Sequence, residues 1–264
     1  QNDALTGLLA PFLDFNAPSL VTAWKEAMKR LGRGDEALKR LTQWSAQAGD
    51  VGAELLHQRV ALALELNRLE VAMHTLRAQG LSRAPKEAVA AVAQAALTRS
   101  ATAGATSAIN HLPMLRELWT QGAQASLIAA DSLLAAKVAA AIGDHAAIGP
   151  LIDTASVGCA GRPDCAVQVA IINHQQGRGQ EALAALKIAD EASDLQESLL
   201  REYARVSIAL NHSRDAAIKL EKQRRAQPSE LFNQAWLLLN TANGQHAAVT
   251  AWLGARQSGD MPED

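Results

Sequence analysis

The sequence predicts an all-α fold, a right-handed superhelical solenoid of about seven helix-turn-helix units. Three observations carry that expectation. The 264 residues are 48% hydrophobic yet only 3% aromatic, and the apolar share is mostly alanine and leucine, which lose little rotamer freedom in a helix. Tracts of Val, Ile, Thr, Tyr and Phe that would favour strands are missing. A segment made of a glycine-rich turn and the start of a helix recurs along the chain, and such self-similarity is the mark of a repeat architecture.

Taken in order, residues 1–17, with Pro11, Phe12 and Phe15, read as an N-terminal cap, and the repeats occupy residues 18–257. The first turn is Leu31-Gly32-Arg33-Gly34-Asp35-Glu36-Ala37-Leu38-Lys39-Arg40-Leu41; its glycines break one helix and its acidic pair suits the N-terminus of the next. The second unit turns at Leu66-Asn67-Arg68-Leu69-Glu70-Val71-Ala72, and the third is marked by Ala108 alone. The fourth turns at Ile142-Gly143-Asp144-His145-Ala146. The fifth repeats the first closely, as Gln176-Gly177-Arg178-Gly179-Gln180-Glu181-Ala182-Leu183-Ala184-Ala185-Leu186. The sixth and seventh turn at Asn211-His212-Ser213-Arg214-Asp215-Ala216 and Asn243-Gly244-Gln245-His246-Ala247. Residues 258–264 read as a disordered tail or a link. One hairpin cannot bury both of its helix faces, so neighbours must stack to make a continuous core.

With an alanine as marker in each unit (Ala37, Ala72, Ala108, Ala146, Ala182, Ala216, Ala247), the chain resembles tetratricopeptide repeats. Large apolar residues stand four places later at Leu41, Leu76, Leu112, Leu186 and Leu220, and Pro228 falls where that family ends its second helix. Small residues suited to close packing stand twelve places earlier at Ala96, Ala170, Ala204 and Ala235, whereas Val60 and Leu134 depart. The resemblance covers about residues 18–255 and implies a scaffold that binds a protein or peptide partner, or a polysaccharide, on a concave face. The positions facing that groove carry Arg201 and Arg205 in the sixth unit and Phe232 and Trp236 in the seventh. A pair of arginines beside a pair of aromatics would suit an extended acidic or apolar peptide, or stacked sugar rings. The alternative is that Arg201 pairs in solvent and the two aromatics seal the end of the stack. The family's carboxylate clamp of Lys and Asn is absent, since those positions hold Thr22 and Glu26, His57 and Ala61, Ala93 and Leu97, Asp131 and Ala135, Val167 and Ile171.

Chemistry is hard to find. A net charge of -2 gives no field to attract nucleic acid or anionic lipid. The most apolar stretch, Leu127 to Ile142, is broken by Asp131 and Lys137 and is too short to cross a bilayer. The glycine pairs Gly32/Gly34 and Gly177/Gly179 lack the strand and Lys-Ser/Thr of a phosphate loop. The seven histidines lack a zinc-type or general-base spacing, and Gly-x-Ser-x-Gly does not occur. No catalytic residue, metal or cofactor is therefore expected. Cys159 and Cys165 share a Gly/Pro loop. A disulfide between them is expected, worth about 2 kcal/mol by chain entropy and at home in an oxidising compartment; the alternative is two thiols in a reduced loop. The loop cysteines and the Ala/Leu/Arg-rich repeats are similar to periplasmic parts of bacterial exopolysaccharide-export and outer-membrane assembly proteins, which implies a periplasmic scaffold. A self-associating structural module, or an accessory repeat domain of a larger enzyme or outer-membrane porin, is the alternative.

Overall fold

Single residues with left-handed backbone set the hairpins. The structure, a computed structural model, describes residues 18–47, 52–102, 111–191, 195–226 and 229–258. Among them the regular structure is helical throughout: α1 (Pro18–Arg30), α2 (Gly34–Gln47), α3 (Gly52–Glu65), α4 (Leu69–Gln79), α5 (Lys86–Thr102), α6 (Leu112–Thr120), α7 (Gln124–Ala130), α8 (Ser132–Ile142), α9 (His145–Val157), α10 (Pro163–Gln175), α11 (Gly179–Glu191), α12 (Leu200–Ala209), α13 (Ser213–Ala226), α14 (Glu230–Ala242) and α15 (His246–Ser258), with short 3-10 turns at Leu81–Arg83 and Glu197–Leu199.

Gly32, Asn67, Gly122, Gly143, Gly177, Asn211 and Gly244 all have positive φ, between 56° and 94°. At six of them the next residue's N–H returns to the carbonyl five places back, as Arg178 does to Asn173 (2.9 Å) and His212 to Ser207 (2.7 Å). That bond closes the end of the first helix and starts the second at a fixed angle. Glycine pays no Cβ penalty there, and asparagine is the side chain that best tolerates the same conformation. Nothing lies within 4 Å of a Cβ built on Gly177. Gly177→Ala should therefore cost about 1–2 kcal/mol from backbone strain alone, read as a lowered midpoint of thermal unfolding with helicity otherwise kept.

Five residues past each turn stands the residue that plugs the hairpin: Ala37, Ala72, Leu127, Ile148, Ala182 and Ala216 are buried, and Val249 partly so. Two of the expected alanine markers are thereby corrected. Ala146 and Ala247 are exposed, because they fall two residues short of the plug; Ile148 and Val249 hold that place. Ala108 lies outside the described residues, as do the expected cap, residues 1–17, and residues 259–264 of the expected tail.

The chain divides into two compact units, residues 1–148 and 149–264, the boundary falling within α9. The sequence gives no sign of it. In the first unit α1, α3, α5 and α8 pack side by side in succession, while α2 packs on α3 and α4 on α5. The third repeat departs from expectation. Here α6 and α7 make a hairpin about Gly122, and α7 folds back on α5. The apolar stretch from Leu127 to Ile142 is consequently two helices, because Asp131 takes an extended backbone and caps α8, its carboxylate accepting from the N–H groups of Leu133 (2.9 Å) and Leu134 (3.0 Å). In the second unit α10, α12 and α14 pack in succession, α11 packs on α12, α13 on α14, and α15 on α14.

Ion pairs stitch neighbouring hairpins. Arg68 reaches Asp35 (2.8 Å), Arg77 holds Glu117 through two hydrogen bonds (2.7 and 2.6 Å), and Arg178 reaches Asp153 (2.6 Å). The Arg77 guanidinium holds the Glu117 carboxyl below the usual carboxylate range. Such half-exposed pairs fix alignment more than they add stability. No helix among the described residues is long and apolar enough to cross a membrane.

Candidate partner-binding cleft

The cleft begins with two helix starts. The 3-10 turn Glu197–Leu199 leads into α12, and Ser229 caps α14, its hydroxyl accepting from the N–H of Phe232 (3.4 Å). The two helices lie side by side and leave an open cleft of about 860 Å³. Its walls are Leu200, Arg201 and Ala204 from α12 and Leu231, Gln234, Ala235 and Leu238 from α14, among others. Leu231 and Leu238 stay 44% and 41% exposed, an unusual investment of large aliphatic side chains in water, two turns apart on one face of one helix. Arg201 is exposed at the edge and makes no ion pair with any described residue, while Arg205, also exposed, turns to Glu202 (3.0 Å).

The four residues singled out by sequence are not gathered in one groove. Phe232 and Trp236 are 2% and 8% exposed. Trp236 belongs to the opposite side of α14, its ring 6.1 Å from that of Trp252 and beneath the guanidinium of Arg224 at 5.3 Å. There it lines a second cleft, of about 690 Å³, with Arg214, Ile218, Glu221, Asn240 and Gln245. The displacement follows from the marker correction. A shift of two residues, from Ala247 to Val249, turns a helix by about 200°. The true counterparts of Arg201 and Arg205 are therefore Gln234 and Leu238, and both line the α12/α14 cleft. The signal that finds them is the left-handed turn residue, Asn211 matching Gly244, in place of the alanine.

Behind the cleft, α12 is anchored by a buried polar cluster absent from the sequence reading. The Tyr203 hydroxyl donates to the Asp190 carboxylate at the end of α11, and the other carboxylate oxygen of Asp190 lies 2.5 Å from His212 Nε2. His212 Nδ1 faces Asp215 at 3.3 Å, and Lys219 Nζ donates to the Asp190 carbonyl (3.1 Å). Burial, reinforced by the negative charge of Asp190, raises the Tyr203 phenol far above its ordinary range. The phenol therefore stays protonated and acts as a fixed donor. The cluster ties α12 to the end of α11 and to α13, and so helps fix the place of Arg201.

Cys159 and Cys165 are joined by a disulfide, Cα atoms 5.3 Å apart, that closes the turn between α9 and α10. Among the described residues no three His, Cys, Asp or Glu side chains are grouped so as to hold a metal ion.

No family model matches the sequence, and no curated protein matches it. Among solved structures the chain is similar to a tetratricopeptide repeat protein from Parabacteroides merdae ATCC 43184, at 15% identity and a TM-score of 0.49, over 87% of this chain and 86% of that one. A likeness at that level carries no argument; the helical repeat stands on the turns and packing themselves.

Proposed function

We propose that this chain is a non-catalytic protein-interaction scaffold whose second unit takes an apolar, acid-flanked peptide segment of a protein partner in the α12/α14 cleft. The observation that carries the reading is the exposure of Leu231 and Leu238 on the wall of one cleft with Arg201 at its rim. Two aliphatic anchors supply area to remove from water, and a guanidinium without a carboxylate partner among the described residues supplies a site for a bidentate contact. With Phe232 and Trp236 turned inward, the stacking platform that a sugar polymer would use is weakened, which favours a peptide over a polysaccharide. The disulfide supports an oxidising setting such as the periplasm, and an envelope-assembly role is the reading that goes with it.

The test is capture from native extract with mass-spectrometric identification, comparing the wild-type chain with the double variant Leu231→Glu/Leu238→Glu. Both side chains are exposed, so helicity should be unchanged while affinity for the retained partner falls about 100-fold, the loss of two anchors. Arg201→Glu should weaken capture less and reduce its salt dependence. Undiminished capture by the double variant would remove the cleft from the function.

A further inference from the structure

Two successive junctions of the second unit share one plan and differ in charge. Thirteen residues past the left-handed turn residue, Asp190 on α11 corresponds to Arg224 on α13. One residue past it, His212 corresponds to Gln245; eight before it, Tyr203 on α12 corresponds to Trp236 on α14. In the first junction these groups close on one another: Asp190 takes the Tyr203 hydroxyl and His212, and Lys219 donates to the Asp190 carbonyl (3.1 Å). In the second, Arg224 lies over the Trp236 ring at 5.3 Å and is held by Glu221 (3.1 Å), while the Gln245 side chain makes no hydrogen bond with any described residue. Here the cleft of about 690 Å³ stays open, framed by α13, α14 and the turn into α15, all of them within the described residues.

The wall that α13 supplies points to the chemistry of an occupant. Ser213–Ala226 carries five basic residues against two acidic ones. Lys219 and Arg224 are engaged internally, whereas Arg214, Lys222 and Arg225 are exposed. The Arg214 side chain makes no ion pair or hydrogen bond with any described residue, and Arg225 uses only its Nε, on Glu221 (2.8 Å). Between the two stands Ile218, 66% exposed. Intervals of four and seven residues put Arg214, Ile218 and Arg225 on one face of α13, over about 16 Å. A nucleic-acid backbone would set a phosphate against Ile218, and Glu221 on the same wall would repel it; an acidic peptide with one apolar side chain suits all three positions. An extended chain rises about 3.3 Å per residue. Carboxylates five places apart therefore match Arg214 and Arg225, and an apolar residue two places after the first falls at Ile218.

We propose that the α13/α14 cleft is a second peptide site, independent of the α12/α14 cleft. It binds an extended acidic segment of a protein partner, with a large apolar residue on Ile218 between carboxylates held by Arg214 and Arg225. The free amide of Gln245, which lines the cleft, supplies hydrogen bonds to the segment's main chain.

Fluorescence anisotropy with the fluorescein-labelled peptide Glu-Ser-Leu-Ser-Ser-Glu tests it. The probe should bind the full chain saturably, and more weakly as salt rises. Arg214→Glu and Ile218→Glu should each weaken binding about tenfold, with dichroism unchanged because both side chains are exposed. The same peptide with Lys in place of Glu should not bind. Titration of the Leu231→Glu/Leu238→Glu chain removes the α12/α14 cleft from the measurement, and probe binding should persist there, so the two readings fail separately. Absence of saturable binding overturns the proposal, as does binding that either α13 substitution leaves unchanged, or binding that disappears in the Leu231→Glu/Leu238→Glu chain. A short single-stranded RNA that binds as tightly and is lost with Arg214→Glu would mean an unselective anion patch and overturn it too. So would probe binding seen only after removal of residues 259–264, which would make that acidic segment of the chain itself the occupant.

Discussion

Asp190→Ala will destabilise the second unit by about 3 kcal/mol, the largest loss expected from any polar substitution in this chain. The carboxylate is the common partner of the Tyr203 hydroxyl and His212 Nε2. Truncating it strands a fully buried phenol and leaves a largely buried imidazole with Asp215 alone. Tyr203→Phe removes one hydrogen bond and keeps the ring in place, so it should cost closer to 1 kcal/mol. Denaturant unfolding monitored by circular dichroism gives the ordering directly. Equal losses for the two variants would mean that the ring's packing matters and the hydrogen bonds do not. Because the clamp orients α12, Asp190→Ala should also weaken capture at the α12/α14 cleft without touching it.

Trp24→Ala is expected to cost the first unit about 3–5 kcal/mol. Trp24 is fully buried between α1 and its neighbours, with the Trp44 ring 4.8 Å away, centroid to centroid. Nothing small can refill that volume. Stability in stacked hairpins is a sum of nearest-neighbour terms, so the two substitutions should act locally. Hydrogen exchange should accelerate across α1 to α4 in Trp24→Ala and across α11 to α13 in Asp190→Ala, each variant sparing the other stretch. Uniform loss of protection along the whole chain in either variant would contradict that independence.

What the sequence revealed, and what it hid, follows from how tightly each position is constrained. A left-handed turn admits glycine and asparagine and little else, so Gly32, Asn67, Gly143, Gly177, Asn211 and Gly244 are visible in the primary sequence, and with them the hairpins and the all-α class. The plug position asks only for an apolar side chain of modest size. Alanine satisfies it in four hairpins, but Leu127, Ile148 and Val249 do as well, and an alanine-based alignment slips by two residues at Ile148 and Val249. That slip placed Phe232 and Trp236 in a groove from which they face away, and it hid Leu238. Asp131 was visible as a break in an apolar run, yet whether a lone aspartate decorates a helix or caps one depends on the neighbours that α5 supplies to α7 and α8. The Tyr203 clamp joins residues 13 and 22 positions apart on two helices and the turn before a third. No periodicity encodes it, and the only hint was that the chain's single tyrosine lies in a first helix.

The even spacing of the later turns has an engineering meaning. Gly143, Gly177, Asn211 and Gly244 follow one another at intervals of 33 or 34 residues, each opening with the same backbone geometry, so residues 177–210 form a cassette that begins and ends at equivalent points. Splicing in a duplicate would present every new junction with a surface the molecule already knows how to join, lengthening the protein by one module. The stretch from Asn67 to Gly143, with its additional helix, offers no such seam, and a cut there would leave ends that do not match.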